Sequence, residues 1–281
     1  AGIKPIVGVE AYLARNRHTD KRPKLDDNPF HLLLLAKNSA GYRNLIKLTT
    51  IAHLEGFYYK PRVDWALVEQ YHEGIIATSG CLQGEFAKQV VSGDLAGARA
   101  VARRYRETFG AGNFYLEVQH HPELPQQALV NEAAFTIGAE LGIPVVATAD
   151  SHYPTPQDAY AQDVMVCIQT KKVLTDSDRL SFVGGDYSFQ SPAAMRGHFP
   201  DHPEVADNTL KVADACHLTL QFGQPLLPHF EVPPGLTTDA YLAELCQRGL
   251  GERYGPRAAD REVQERLAYE LEVIKKTGYA S

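Results

Sequence analysis

Along the first 150 residues, short apolar runs alternate with longer stretches of helical spacing. Residues 3–13, IKPIVGVEAYL, read as a strand with Glu10 near its end. The polar, basic segment ARNRHTDKRPKLDDNP at 14–29 reads as a loop, and FHLLLLAKN at 30–38 as a second strand. In 41–52 the apolar positions Tyr42, Leu45, Leu48 and Ala52 repeat at helical intervals. GIIATSGC at 74–81 is a third strand ending in Ser-Gly-Cys. Residues 94–109 predict a helix, with Asp94 as its cap and Gly110 as its stop. Leu95, Ala98, Ala102, Tyr105 and Phe109 line its apolar face. A fourth strand, NFYLEVQHH at 113–121, leads to a helix over 125–141; Gly142 and Pro144 then introduce VVATADSHY at 145–153.

Strands that are apolar almost throughout belong to parallel sheets covered on both faces, so the alternation predicts an α/β sheet or barrel. In such barrels the chemistry gathers at the carboxyl ends of the strands. The pattern changes after residue 180: FPDHPEVADNTLKVADACHLTL holds a helix, and GQPLLPHFEVPPG at 223–235 reads as a Pro-rich extended linker. Two further helices are expected over 238–253 and 260–277, the second with Val263, Leu267, Leu271 and Ile274 on one face. A domain boundary is placed near Gly235, giving domains 1–235 and 236–281, and there is no internal repeat.

With 281 residues, 44% hydrophobic and 22% charged, the chain has an ordinary soluble composition. No apolar run approaches the ~20 residues that span a bilayer, so no membrane association is expected. The start carries no signal-peptide pattern and no initiator Met, and it runs straight into a strand; the chain reads as an internal segment. Four cysteines in no CxxC spacing fit a reducing, cytoplasmic setting. A formal net charge of −6 suits a metal site or a supporting domain better than a DNA-wrapping one.

Candidate chemistry stands at the strand ends. Asp150 and His152 are two apart, so both point the same way from a strand, a spacing that suits a metal. Glu10, Cys81 and one of His120 or His121 end other strands. Each also has a plain structural reading: Glu10 as a solvated carboxylate, Cys81 as a small buried hydrophobe, and His31, which begins its strand, as a satisfied core histidine. Taken together, carboxylates, imidazoles and a thiol match the ligand preferences of zinc or manganese. Because neighbours on a strand face opposite ways, only one of His120 and His121 can face the site, and His120 is taken as its outer contact. FVGGDY at 182–187 reads as a turn, and His18, His53, His72, His198, His202, His217 and His229 are assigned no role. Arg15, Arg17, Lys21, Arg22 and Lys24 follow Glu10 and overhang the site; they either touch phosphate or, as the default, form a solvated flexible loop. No serine-histidine triad, phosphate loop or dinucleotide fingerprint competes with this set.

The segments AGIKPIVGVEAYL, HLLLLAKNSAGYRNL, EGFYYKPRVDW, GIIATSGCL and VVATADSHY, in this order and spacing, resemble the PHP (polymerase and histidinol phosphatase) domain of the alpha subunit of bacterial DNA polymerase III. TTDAYLAELCQRGLGERY and RLAYELEVIKKTGYAS resemble the helices that open that subunit's palm. The resemblance covers nearly the whole chain. It implies a distorted seven-stranded (β/α) barrel that holds a cluster of three metals, often zinc, with the ligand positions falling on Glu10, His31, Cys81, Asp150 and His152. The family's HxH pair, further acidic ligand and TDH motif would lie upstream of Ala1, and its catalytic aspartates beyond Ser281. The barrel is therefore expected to lack its first strands, leaving IKPIVGVEAY as an open edge.

What the resemblance implies of the parent protein is DNA-directed DNA synthesis, with magnesium in the palm. DNA, deoxynucleoside triphosphates, a proofreading subunit and a sliding clamp are its expected partners. For the barrel it implies metal-assisted phosphodiester hydrolysis in the sense of a 3′–5′ exonuclease. The alternatives are a non-catalytic module that binds the proofreading subunit, and a free-standing phosphoesterase, against which the helices beyond Gly235 count.

Overall fold

The computed structural model describes residues 2–223 and 227–280. The chain divides into two compact units, Ala1–Leu220 and Gln221–Ser281. The linker expected at 223–235 falls partly on 224–226, outside the described residues. No helix among the described residues is long and apolar enough to cross a membrane.

The first unit is built on β1 (Gly8–Leu13), β2 (Phe30–Ala36), β3 (Phe57–Tyr58), β4 (Lys60–Val63), β5 (Ile75–Thr78), β6 (Phe114–Gln119) and β7 (Val145–Thr148). Its helices are α1 (Ser39–Leu54), α2 (Trp65–Gln70), α3 (Glu85–Val91), α4 (Leu95–Phe109), α5 (Pro125–Leu141), α6 (Ala159–Thr170), α7 (Pro192–His198) and α8 (Glu204–Ala215). The strands form one seven-stranded sheet in the order β3-β4-β1-β2-β5-β6-β7. It is mixed, which differs from the parallel sheet expected. β1 and β4 are parallel, as are β5, β6 and β7, but β2 runs antiparallel to both β1 and β5. A parallel return needs a crossover, usually a helix, and the polar segment between β1 and β2 contains none. The apolar run of β2 reflects burial and does not report direction.

A second difference concerns β1. It lies between β4 and β2 instead of forming an edge, although β4 pairs only with Tyr12 and Leu13. The edges are β3 and β7. Ile3 and Ile6 precede β1 and are exposed.

Alternation along the strands divides the sheet into two faces. On one, Ala11, Leu13, Leu32, Leu34, Ala36, Ile75, Ala77, Leu116, Val118, Val145 and Ala147 pack with the apolar stripes of α1, α3, α4 and α5 into a single core. The helix over Leu95–Phe109 forms as its spacing predicts: Asp94 accepts from Gly97 N, and Gly110 closes it at positive φ. On the opposite face Ile76, Tyr115 and Val146 meet Val212 and Cys216 at α8. Asn208 donates to the carbonyl of Val145 at 2.7 Å, securing α8 along β7.

The second unit holds α9 (Thr238–Tyr254), a 3₁₀ turn (Gly255–Ala259) and α10 (Arg261–Thr277). Thr237 caps α9, accepting from Ala240 N, and Gly278 ends α10 in the left-handed region. No residue of either helix is buried.

Candidate metal site

The second face of the sheet changes character along its length. Toward α8 it is apolar, but elsewhere it carries Glu10 within β1 and, toward the carboxyl ends of β5, β6 and β7, Thr78, Glu117, Gln119 and Thr148. Glu10, Cys81, Glu117, Gln119, Thr148 and Asp150 line one pocket there, with a volume of about 160 Å³. The reversed direction of β2 explains how His31 joins them. His31 begins β2, and an antiparallel strand brings its amino end to its neighbours' carboxyl ends, with Tyr12 of β1 opposite His31.

His31 Nδ1 stands 2.9 Å from Glu10 Oε1 and 3.7 Å from Cys81 Sγ. The Cys81 sulfur and the Glu10 carboxylate together hold the half-buried imidazole's pKa up at about 9. In return the His31 hydrogen bond, against burial and with weaker help from His152, keeps the Glu10 carboxyl below its ordinary value. Cys81 reaches this place through a turn at Gly80, whose φ is +72°. A Cβ on Gly80 would lie 3.1 Å from the carbonyl oxygen of His31, so the turn packs directly on β2.

Asp150 follows the end of β7 in the left-handed region, at φ +46°, a conformation aspartate tolerates better than most residues. His152 is bound to the same turn: its Nδ1 lies 2.6 Å from the Asp150 carbonyl oxygen and 4.0 Å from Oδ1. Its backbone N–H donates to Tyr187 O at 2.8 Å, and Phe182 lies on its ring at 4.1 Å. FVGGDY, expected as a plain turn, therefore provides the wall against which His152 rests.

β6 corrects the reading of its two histidines. His120 stacks on His198 at 3.9 Å, within a separate cavity, and does not line the pocket of Glu10. His121 is buried against Tyr187, with neither ring nitrogen hydrogen-bonded among the described residues, and burial lowers its pKa. The side chains that β6 presents to the pocket are Glu117 and Gln119, two residues apart. Glu117 is buried and accepts from Thr78 Oγ1 at 2.5 Å, Thr148 Oγ1 at 2.5 Å and Gln119 Nε2 at 3.0 Å. Burial pushes its pKa up despite these bonds. The signal that points to them is a pair of polar residues at i and i+2 inside an apolar strand.

The loop at 14–29 is also tied down more than a solvated loop would be. Arg62 of β4 is fully buried and donates to the carbonyls of Gly56, Asp26, His18 and Asp20 at 2.6–3.1 Å. Arg22 binds Asp26 through two nitrogens, at 2.8 and 3.0 Å, and holds its carboxyl down at about 2. His18, for which the sequence suggests no role, stands 2.5 Å from Asp64 Oδ2.

The five expected ligands thus stand as a Glu10–His31 pair with Cys81 beside it and an Asp150–His152 turn. Glu10, Cys81 and Asp150 share a pocket. Among the described residues no group of three or more His, Cys, Asp or Glu side chains is gathered tightly enough to hold a metal ion. The donor types nonetheless fit zinc or manganese.

Residues 1–121 match the PHP domain family. Residues 1–121 belong to a PHP domain. The chain is 39% identical over 282 aligned positions to the DNA polymerase III subunit alpha of Borreliella burgdorferi, covering 99% of this chain and 24% of that protein. The subunits of the same name from Treponema pallidum and Aquifex aeolicus are 38% and 36% identical, with 99% of this chain and 24% and 25% of theirs covered. The chain spans about a quarter of the length of the curated relatives it matches.

Proposed function

We propose that this chain is a segment of the alpha subunit of a bacterial replicative DNA polymerase, and that its pocket hydrolyses phosphodiesters in the 3′–5′ direction. The end-to-end similarity to polymerase alpha subunits supports the first part. The observation that carries the second is the placement of Glu10, Cys81 and Asp150 on one pocket, with His31 bonded to Glu10. Residues 1–235 are the PHP domain and its linker, and 236–281 open the palm, where magnesium would serve nucleotidyl transfer. Further strands along the open edges would complete a (β/α) barrel. The setting is the cytoplasm, with DNA, deoxynucleoside triphosphates, a proofreading subunit and a sliding clamp as partners.

In this reading Glu10, His31, Cys81, Asp150 and His152 hold zinc or manganese. When bound, the metal supplies a water of lowered pKa and a clamp for the phosphate oxygens. The protein's own contribution is positional. The ring of His31 is oriented by Glu10, the Asp150 turn fixes His152, and Phe182 and Tyr187 shield the His152 side. Glu117, whose neutral form burial favours, braces Thr78 and Thr148 at the floor.

The test is metal content and excision of a 3′-labelled single strand by the full-length protein, wild type against His152→Ala. Stoichiometric zinc or manganese with excision in the wild type, and loss of both in the variant, is expected. The second reading, a non-catalytic brace for the proofreading subunit, is favoured by the absence of a tight three-ligand group among the described residues. Wild-type protein that purifies without metal and excises nothing, even with zinc or manganese added, would establish that reading instead.

A further inference from the structure

Beside the pocket of Glu10 lies a second cavity, of about 450 Å³, lined by residues that include Tyr12, Arg15, Phe30, His31, Lys60 and Lys88. His31 lines this second cavity; it bonds Glu10, which lines the first, and lies edge-on to Tyr12, 5.3 Å away. The cations come from three separate places: Arg15 just after β1, Lys60 at the start of β4 and Lys88 in α3. None of the three forms an ion pair among the described residues. Two of their side chains are instead laid over aromatic rings. The Arg15 guanidinium stands 4.4 Å from the centroid of Phe30, and Lys60 Nζ 5.3 Å from that of Tyr12. Arg15 Nε also donates to Asn28 O at 3.2 Å. One carboxylate, Asp27, reaches the cavity, and it already accepts from Lys24 N and Asn28 Nδ2. In a chain of net charge −6, this is a local concentration of positive charge that composition does not predict.

We propose that this cavity is the entry track for a single DNA strand, with Arg15, Lys60 and Lys88 on its phosphates and Tyr12 against a terminal base, so that the strand's end is delivered past His31. The chemistry is that of sequence-independent single-strand binding, in which cations follow the backbone and aromatic rings accept any base. A duplex would need both strands accommodated, and a cavity of about 450 Å³ has room for about one nucleotide. The proposal rests on the phosphodiesterase reading for what happens at the strand's end, but the binding itself does not.

The experiment uses the full-length protein and an oligothymidylate with 4-thiothymidine at its 3′ end. After irradiation, the crosslinked peptide is mapped by mass spectrometry. The expected result is a crosslink on the peptide bearing Tyr12, with its yield cut about tenfold in Arg15→Glu/Lys60→Glu and severalfold in the milder Lys60→Gln, each removed cation lowering single-strand affinity and its salt dependence. Where excision is measurable, the loss falls on KM rather than on kcat. If the wild type crosslinks at Tyr12 but excises nothing, the hydrolytic reading fails and the track stands. Crosslinks confined to other peptides, or a yield that neither variant changes, would overturn the track whatever the excision result.

Discussion

The two faces of the central sheet are made by the same strands and differ in almost everything else. One face is dry: Leu32, Leu34, Leu116 and Val118 are completely buried beneath α1, α3, α4 and α5. The other is apolar only where α8 covers it, and toward the strand ends it becomes a polar pocket with a buried carboxylate at its floor. The difference teaches that stability and chemistry are separated here by one residue of register, since alternate side chains of β6 serve the core (Leu116, Val118) and the pocket (Glu117, Gln119).

Cutting into the dry face should have the largest effect on stability. Leu34→Ala or Leu116→Ala is expected to cost about 2–5 kcal/mol, because neither site can collapse around the missing methyl groups. Denaturant unfolding measures it; a loss under about 1 kcal/mol, well below the usual range, would mean that the two faces are less distinct than their burial shows. Next comes Arg62→Ala, which strands the buried carbonyls of Gly56 and Asp26 and the partly buried ones of His18 and Asp20 and should cost about 2–4 kcal/mol. Proteolysis within residues 15–28 should increase with it, whereas a loop that owed nothing to Arg62 would be cleaved at the wild-type rate.

On the polar face the sign should reverse. Because burial raises the pKa of Glu117, the unfolded chain releases its proton first as pH rises through the ordinary value of 4.5. Native stability therefore falls over the interval from that value up to the raised one, and stays lower above it. Glu117→Gln removes this penalty while keeping the size of the side chain. Its Tm should match or exceed that of the wild type by about 2–4 °C at neutral pH, the shift that about 1 kcal/mol produces in a domain of this size. The gain should vanish once the pH falls below the ordinary carboxyl value, and a Tm deficit that persists at neutral pH would show that the ionised form is the one the fold requires. The smallest effect on stability is expected from His152→Ala. Its side chain is about a third exposed, so the cost should stay within about 0.5 kcal/mol. Circular dichroism melts would reveal a larger loss, and with it a structural role that the geometry does not assign.

The second unit makes a related point. α10 has the stripe Val263, Leu267, Leu271 and Ile274 that its spacing predicts, yet these side chains are only half-buried. A stripe announces that a helix has a side to cover, and says nothing of how fully it is covered.

Much of the candidate site is legible in the chain's own spacing. Cys81, Asp150 and His152 stand just past strand ends, whereas Glu10 is the third residue of β1. α4 keeps its caps and buries Ala98, Ala102, Tyr105 and Phe109 as its spacing predicts, but Leu95 is exposed and Val101 is buried instead. His31 is ambiguous on spacing alone because it begins a strand, and in a wholly parallel sheet a strand's beginning lies at the wrong end. Glu117 and Gln119 are overshadowed by His120 and His121, because a residue's type draws attention before its phase along the strand does.

Local features are written into the order of residues: which runs extend, which coil, where caps and glycine stops fall, and which residue types are available as ligands. Each of these follows from spacing and from the bonding capacity of neighbours in the chain. The folded chain adds that β2 runs backwards, that Arg62 directs its donors to loop carbonyls, and that Arg15, Lys60 and Lys88 face one cavity. These depend on pairings between residues far apart in the chain. Strand direction and register are settled by the combined burial of the whole sheet, which no single segment encodes.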